Sequence, residues 1–458
     1  AVDGIRDIHC SLVGSEMCIR DRFSAALESG TFVDVRRMLN GLAAAEVAHL
    51  LESSPPKYRH ILWQMVEVER EGEVLGELSD DLQAHFLSDM GAAEVALITE
   101  GLEDDDVADI LQQVPDRITR EVLNAMDHQD RARLERVIKY PDDVAGGLMN
   151  TDTITIRARL TLDVVLRYLR RHDEIPEMTD SLIVVNRADQ FIGLLPLRTL
   201  LVSDPSVSVR EMMVTDLEPI PVDMPDTEVA RLFERNDWVS APVVDENGRL
   251  VGRITIDDVV DVIREDADHS FMSMAGLDED EDTFAPVSRS APRRAIWLGI
   301  NLVTAFIASS VINLFQDTIE KVVALAVLMP IVASMGGIAG TQTLTVLIRG
   351  IAMGQVGRNN QAWLVNRELI IGLLNGVLWA AVVAVAASLW FDDWNIGLII
   401  AAAMVINLVT AALTGALLPL LMTRLQIDPA LAGGVVLTTV TDVVGFVSFL
   451  GLATLFYA

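Results

Sequence analysis

One aspartate lies in the long apolar segment near the end of the chain. Asp442 follows Gly434-Val-Val-Leu-Thr-Thr-Val-Thr and is the one acidic residue that we predict well inside a membrane span. A carboxylate at the centre of a membrane helix costs about 2.5–3.5 kcal/mol, so its retention indicates a function. Helical spacing places Gly434 and Thr438 on the same stripe as Asp442, with Thr439 beside it. We predict that these residues line an ion path.

The chemistry of this stripe suits a hard dication. Carboxylate and hydroxyl oxygens are the ligands that magnesium selects, and magnesium releases its waters reluctantly, so one carboxylate per subunit could hold a hydrated ion in a pore. The alternative is that Asp442 bonds to neighbouring hydroxyls and only joins helices.

The segment from Met329 to Gln342 is the second candidate for the ion path. Pro330 lacks a backbone donor and several glycines follow it. Either the helix breaks here, so that freed carbonyls face ions, or the glycines only allow tight helix packing. Pro330 and Gln342 are therefore the candidate residues of this segment.

Two acidic helix faces in the first part of the chain could hold cations. Their carboxylates recur at a spacing of four residues, where like charges destabilise a helix by about 0.2–0.5 kcal/mol per pair, and a bound dication would relieve this repulsion. A solvated acidic face would show the same pattern. The candidate sensor residues are Asp105, Asp109, Asp257, Asp258, Asp261 and Glu265.

Charge is distributed unevenly along the 458 residues. The net charge is −31, yet residues 285–458 contain 8 Lys and Arg and 7 Asp and Glu, so the acidity belongs to the preceding part. Such a surface repels nucleic acid and attracts multivalent cations, so we expect divalent cations as partners and no nucleic acid. The sequence has no nucleophile and base pair, no Cys/His metal box and no phosphate loop, so we predict that the protein is not an enzyme.

The region before the first repeat is mostly helical. Residues 1–22 contain both cysteines and resemble a translated sequencing-adapter remnant, so we treat them as an artefactual or disordered extension. Residues 23–140 show apolar residues at three and four spacing, broken by prolines, and predict an acidic, all-α superhelical N domain.

A sequence repeat follows the N domain. The segment Ser181–Leu201 aligns without gaps on Ser240–Val260, an offset of 59 residues, and each copy reads as strand, turn, strand and helix. Asn247-Gly248 predicts a hairpin with a primed turn. The repeat resembles a tandem pair of α/β CBS domains, at residues 141–208 and 209–268.

This resemblance implies a nucleotide site. The segment from Gly252 to Asp258 looks like the nucleotide signature of CBS domains, so Thr255 and Asp258 are the candidate contacts for ATP. The first copy has Pro196 and Thr199 at the equivalent positions. At most one nucleotide site per chain is therefore expected.

Five apolar stretches after Arg294 each reach the ~20 residues that a membrane helix needs. They form a predicted transmembrane domain at residues 295–458. Arginines in alternate loops place the N-terminal region in the cytoplasm and the C-terminus outside, in a multi-pass protein of the inner membrane. The spans are predicted at about 295–315, 322–347, 366–391, 396–422 and 430–457.

The order of these regions resembles the MgtE family of magnesium channels. The shared motifs are Tyr140-Pro141 leading to Gly146-Gly-Leu-Met149, Arg294-Ala-Ile-Trp-Leu-Gly-Ile-Asn301, Pro330 to Gln342, and Thr438 to Phe446. The resemblance implies a homodimer in the lipid membrane with its pore on the twofold axis and Asp442 of each chain at the selectivity site. It also implies that magnesium bound among the acidic faces closes the pore through a linker helix, which would lie at residues 269–294.

Two positions depart from the family pattern, and two other functions stay open. Ile338 stands where the family usually has Asn, and Val435 stands where it usually has Pro. Another transporter regulated by CBS domains, such as a chloride channel or an efflux system, is one alternative. A membrane sensor of metal or nucleotide that transports nothing is the other.

Overall fold

The computed structural model describes residues 32–457, except for residues 89, 101, 127, 173–174, 278–282 and 358. The predicted extension at residues 1–22 and the start of the predicted N domain lie outside the described residues. The described chain forms two compact units. One contains the residues up to Ala267 together with residues 283–286, and the other contains residues 268–277 and 287–457.

Short helices build the N domain, as the sequence predicted. Prolines lie at the start of two of them: Pro56 occupies the first turn of one helix, and Pro115 immediately precedes another. Proline suits these positions because the first N–H groups of a helix have no partner within it. The helices are α1 (Phe32–Leu39), α2 (Ala44–Glu52), α3 (Pro56–Trp63), α4 (Glu71–Gly76), α5 (Asp80–Leu87), α6 (Ala92–Ile98), α7 (Asp104–Gln112), α8 (Asp116–Ala125) and α9 (His128–Val137), with a 3-10 turn at Val68–Arg70.

The two CBS copies contain matching three-stranded sheets. In each sheet the first strand pairs parallel to the second, and the second pairs antiparallel to the third. The equivalent strands Ser181–Val185 and Ser240–Val244 start 59 residues apart, which is the predicted offset, so the repeat is confirmed. The elements are β1 (Thr155–Ile156), α10 (Leu162–Leu169), β2 (Ser181–Val185), β3 (Phe191–Pro196), α11 (Leu197–Val202), α12 (Val209–Met212), β4 (Ile220–Pro221), α13 (Asp226–Asn236), β5 (Ser240–Val244), β6 (Leu250–Thr255) and α14 (Ile256–Met274).

The second hairpin forms where it was predicted, but its turn type is different. A primed turn of type I′ needs positive φ at both central residues, whereas only Gly248 (φ 72°) has it. The carboxylate of Asp245 accepts from the backbone N–H groups of Asn247 and Arg249, each at 2.8 Å. This Asp side chain stabilises a longer loop, which replaces the predicted two-residue turn.

The predicted linker helix at residues 269–294 is corrected by the structure. Helix α14 continues from the second CBS copy to Met274, and the next helix begins only at Val287. Gly276 ends α14 with a positive φ of 71°, while the N–H of Leu277 donates to the carbonyl of Met272 at 3.0 Å. This is the Schellman arrangement, which closes a helix wherever glycine can adopt the left-handed conformation.

Five helices of the described residues are long and apolar enough to span a membrane, which confirms the predicted number. The second, fourth and fifth of these helices pack together, the third packs against the fourth, and the first packs against the fifth. Their buried side chains include Leu325, Met404 and Phe449. The helices are α15 (Val287–Asn313), α17 (Ala324–Ala352), α18 (Gln361–Phe391), α19 (Trp394–Arg424) and α20 (Pro429–Tyr457), with a short α16 (Gln316–Lys321).

Candidate ion path and metal sensor

A cavity of about 490 Å³ lies between α17 and α20. Its polar wall consists of oxygen-bearing side chains without a cationic residue, which is the ligand type that a hydrated hard dication requires. Three predicted ion-path residues, Gln342, Thr438 and Asp442, line it, and so does the family departure Ile338. The lining residues are Ala333, Ser334, Gly337, Ile338, Thr341, Gln342, Thr438 and Asp442.

The hydroxyls near Asp442 bond within their own helix. Thr438 donates to the carbonyl of Gly434 at 2.9 Å, and Thr439 donates to Val435 at 2.7 Å. Thr441 donates to the carbonyl of Thr438 at 3.0 Å. Within the described part of the chain, no hydrogen bond or ion pair involves the carboxylate of Asp442. The acceptors of Asp442 therefore border the cavity without a partner among the described residues.

The other predicted ion-path residues lie outside the cavity wall. Gly434 has open space beside it, Thr439 is half-buried, and Pro330 is exposed near the start of α17. Helix α17 continues through Pro330, so the described residues contain no break there. Pro330 thus precedes the lining residues by about one turn.

Glycines of α17 serve helix packing, which was the alternative reading. A Cβ at Gly340 would lie 2.8 Å from the side chain of Leu437, and a Cβ at Gly336 would overlap the amide of Asn407. Gly337, in contrast, has nothing within 4 Å and lines the cavity. One face of α17 therefore packs against neighbouring helices while the adjacent face borders the cavity.

A second carboxylate of the membrane domain was missed by the sequence reading. Glu368, near the start of α18, is 5% exposed. It accepts from Arg367 at 2.6 Å and from the hydroxyl of Thr343 at 3.3 Å. It also lines a cavity of about 180 Å³, which shares Gln342 with the larger one. Arg367, the preceding residue in the sequence, could have indicated this burial, because a neighbouring cation reduces the free-energy cost of burying a carboxylate.

The predicted sensor residues of α7 face those of α14. Asp105 is 6% exposed. Burial, followed by the negative charge of Asp258, raises the pKa of Asp105 well above its usual value. Around Asp109, burial and then the charges of Asp142, Asp106, Asp80 and Glu265 raise the pKa to about 8. Two acidic surfaces that are distant in sequence thus meet in the fold.

The same effect extends along α14. Burial, followed by the charge of Asp257, raises the pKa of Asp258 to about 7. Burial also raises the pKa of Asp261, with Arg264 opposing and Asp257 adding to the shift. Among the described residues, however, no three acidic or histidine side chains are close enough to enclose a bare metal ion. A cation held here would keep waters between itself and the carboxylates.

Hydrogen bonds fix the N domain against the CBS pair. The amide of Asn150 donates to Glu103, and the hydroxyl of Thr151 donates to Asp104. Asn150 also pairs through its backbone with Arg253 of β6, with N to O distances of 2.8 and 2.9 Å. These contacts hold α7 beside the start of α14.

The two candidate nucleotide residues contact each other. The hydroxyl of Thr255 donates to the Asp258 carboxylate at 2.9 Å, and Thr255 is 2% exposed. Asp258 therefore has two predicted roles, toward a nucleotide and toward Asp105. The electrostatic link to Asp105 comes from the fold, whereas the nucleotide role stays a prediction.

Family models match most of the described chain, apart from residues 205–208, residues 266–328 and short segments at either end. Residues 42–143 match the MgtE intracellular N domain, and residues 144–204 and 209–265 match the CBS domain. Residues 329–452 match the divalent cation transporter model of the MgtE family. The matched segments agree with the predicted order of regions.

Curated relatives align over almost their full length. The magnesium transporter MgtE of Bacillus subtilis is 30% identical over 437 residues, covering 95% of this chain and 96% of the relative. The magnesium transporter MgtE of Thermus thermophilus is 31% identical, covering 94% and 96%. A solved cytosolic domain of the Mg²⁺ channel MgtE with ATP is 33% identical over 53% of this chain and 99% of that chain, with a TM-score of 0.48. This chain is a multi-pass membrane protein and belongs to the MgtE family of magnesium transporters.

Proposed function

We propose that this protein is a homodimeric magnesium channel of the inner membrane, closed by intracellular magnesium that binds its acidic cytoplasmic region. One observation carries the pore assignment: the carboxylate of Asp442 borders an oxygen-lined cavity without a partner among the described residues. A hydrated magnesium ion would bind there through its waters, because magnesium loses its hydration shell reluctantly.

A second copy of the chain completes this proposal. Within the part of the chain that the structure describes, the cavity wall comes from α17 and α20, so one chain would border the ion path from part of its circumference. A twofold axis would place a second Asp442 opposite the first and give two carboxylates for one dication. The N-terminal region would lie in the cytoplasm and the C-terminus outside.

The sensor proposal rests on the acidic surfaces of α7 and α14. In the absence of a cation, the ionised forms of the buried Asp105 and of the more exposed Asp109 are repelled by neighbouring carboxylates. Hydrated magnesium between the two helices would neutralise this charge and favour their close packing. The nucleotide prediction for Thr255 and Asp258 is retained as a proposed ATP contact.

A contact of α14 offers a route from the sensor to the pore helix. The ring nitrogen Nε2 of His269 on α14 lies 2.9 Å from the carboxylate of Asp428. The same Asp428 accepts from the N–H of Ala430 at 2.8 Å at the start of α20, the helix that carries Asp442. A change in the position of α14 would therefore act directly on the start of α20.

Magnesium uptake into proteoliposomes tests this function. The purified full-length protein would be reconstituted, and entry followed with a magnesium-sensitive dye, with and without magnesium on the cytoplasmic side. Uptake that cytoplasmic magnesium suppresses supports both the pore and the sensor. Uptake that cytoplasmic magnesium does not suppress would contradict the proposed sensor. Magnesium binding without any uptake would favour the alternative of a sensor that transports nothing. Replacing chloride by an impermeant anion tests the anion-channel alternative.

A further inference from the structure

Asn407 is a buried polar residue in the centre of the membrane helices. It lies on α19 with 1% of its surface exposed. Its amide nitrogen donates to the backbone carbonyl of Val332 on α17 at 2.8 Å. Its amide oxygen has no partner among the described residues. An unpaired buried acceptor costs free energy that an aliphatic side chain of similar size would avoid, so the amide needs another explanation.

The amide of Asn407 lies between two helices at positions where each has a glycine, Gly336 on α17 and Gly445 on α20. On α17, a Cβ at Gly336 would overlap the amide nitrogen, and on α20, a Cβ at Gly445 would lie 2.8 Å from the same nitrogen. A Cβ at Gly445 would also lie 3.3 Å from Val332. The geometry at this point thus depends on Asn407, which contacts α17 and α20 at once.

The contact lies directly behind the cavity. Val332 and Gly336 precede the lining residues Ala333 and Gly337 by one position each on α17. On α20, Gly445 is three residues beyond Asp442, which is less than one helical turn. Asn407 therefore contacts both walls of the cavity from their packed side, through its hydrogen bond to Val332 on α17 and its close packing against Gly445 on α20.

We propose that Asn407 is a positioning residue for ion selection, which sets the distance between the α17 wall and Asp442. This inference rests on the proposed channel function. Cavity width decides whether a hydrated magnesium ion contacts both walls, whereas calcium, whose coordination is more flexible and whose waters are held less tightly, tolerates other widths. A shift of α17 relative to α20 should therefore change the ratio of the two fluxes.

Asn407→Leu removes the donor at similar side-chain volume and is the first variant. We expect the ratio of magnesium to calcium flux in proteoliposomes of the full-length protein to fall about tenfold, the equivalent of one net hydrogen bond. Thr410→Val is the matched control, since Thr410 on the same helix donates only within α19, to Ile406 at 2.9 Å. It should leave the ratio unchanged.

A pair of substitutions tests the same contact if Asn407→Leu does not fold. Gly336→Ala should reduce magnesium flux about tenfold in the parent but have little further effect in Asn407→Ala, where the space for its methyl group is available. Each variant should elute like the parent in size-exclusion chromatography. An unchanged flux ratio in folded Asn407→Leu, or independent effects of Gly336→Ala and Asn407→Ala, would overturn the proposal. Absence of magnesium flux in the parent would instead contradict the channel function itself.

Discussion

Thr438 and Asp442 lie one helical turn apart on α20 and border the same cavity, yet they do not hydrogen-bond to each other. The Thr438 hydroxyl donates to the carbonyl of Gly434 at 2.9 Å. A threonine satisfied within its own helix leaves the neighbouring carboxylate able to accept from the waters of an ion. The two neighbouring positions of the stripe thus differ: the hydroxyl of Thr438 is satisfied within α20, whereas the carboxylate of Asp442 has no partner among the described residues.

Asp442→Asn should abolish magnesium uptake without loss of the fold. The amide keeps the size of the side chain but removes the charge that attracts a dication, while the insertion cost of about 2.5–3.5 kcal/mol for the charged group is relieved. We expect uptake at the level of empty liposomes and a melting temperature at or above that of the parent. Thr438→Val is the companion variant, and it should retain more uptake than Asp442→Asn. Full uptake by a folded Asp442→Asn protein would exclude this residue from the ion path.

Neutralising the sensor should leave the channel open at high magnesium. The combined change of Asp105, Asp109, Asp257 and Asp261 to Asn removes the charges that a cation would bridge between α7 and α14. We expect the magnesium concentration for half-maximal inhibition to rise about tenfold or more, the equivalent of at least about 1.4 kcal/mol of binding free energy shared by the four charges. Uptake into proteoliposomes measures this directly.

The control for that experiment is an acidic residue whose charge the fold already satisfies. Asp204 is exposed, and hydrogen bonds from Ser206 lower its pKa. Asp204→Asn should leave inhibition by magnesium unchanged. If the sensor variant were inhibited like the parent, the regulatory cation would have to bind elsewhere.

Inhibition by magnesium should weaken as the pH falls. Burial and neighbouring acids raise the pKa of Asp109 to about 8 and that of Asp258 to about 7. Between about pH 8 and about pH 6 both groups gain protons, and a protonated carboxyl binds magnesium poorly, so the half-inhibitory concentration should rise. Inhibition curves at several pH values test this, with uptake in the absence of cytoplasmic magnesium as the reference. An inhibitory concentration independent of pH would contradict the role of these carboxylates.

The same raised pKa values have a consequence for stability. A carboxyl group whose pKa is higher in the folded than in the unfolded state binds more protons when folded, so the free energy of unfolding falls as the pH rises between the two values. For Asp109 this window extends from about pH 4 to about pH 8. Magnesium should reduce this loss of unfolding free energy near pH 8. Thermal unfolding of the full-length protein with and without magnesium would measure the difference.

Glu368 should be a structural anchor of the membrane domain. Glu368→Ala removes the acceptor for Thr343 and the ion-pair partner of Arg367. Because Arg367 is 46% exposed and still reaches water, we expect a loss of about 1–3 kcal/mol. A lowered melting temperature in detergent would show this. Glu320→Ala, on the exposed α16, should stay within about 0.5 kcal/mol of the parent.

Local patterns predicted the larger part of this architecture. Hydropathy over about 20 residues gave the five spans, because a membrane helix satisfies its own backbone and depends little on its neighbours. The gapless alignment of Ser181–Leu201 on Ser240–Val260 gave the paired sheets, since each copy repeats the same strand and helix pattern. Asp442 was also predicted as an ion-path residue from the sequence, because a single acidic residue in an apolar helix can be identified without knowledge of the fold.

Contacts between distant segments were decided by the tertiary structure. The amide of Asn407 between Gly336 and Gly445, and the burial of Glu368 against Thr343, depend on which faces of separate helices meet. Spacing along a single helix cannot specify its partner. The end of the predicted linker helix at Gly276 likewise required the backbone conformation itself.

The sequence by itself determined which side chains are available: one carboxylate on an apolar stripe, two acidic faces and two CBS copies. Only the tertiary structure decided what those side chains can do. It placed Asp105 near the charge of Asp258, and it satisfied Thr438 within α20 while no described residue bonds to the carboxylate of Asp442. The physical reason is that hydrogen bonding and charge repulsion act over a few ångströms, and only folding brings residues separated by more than a hundred positions within that range.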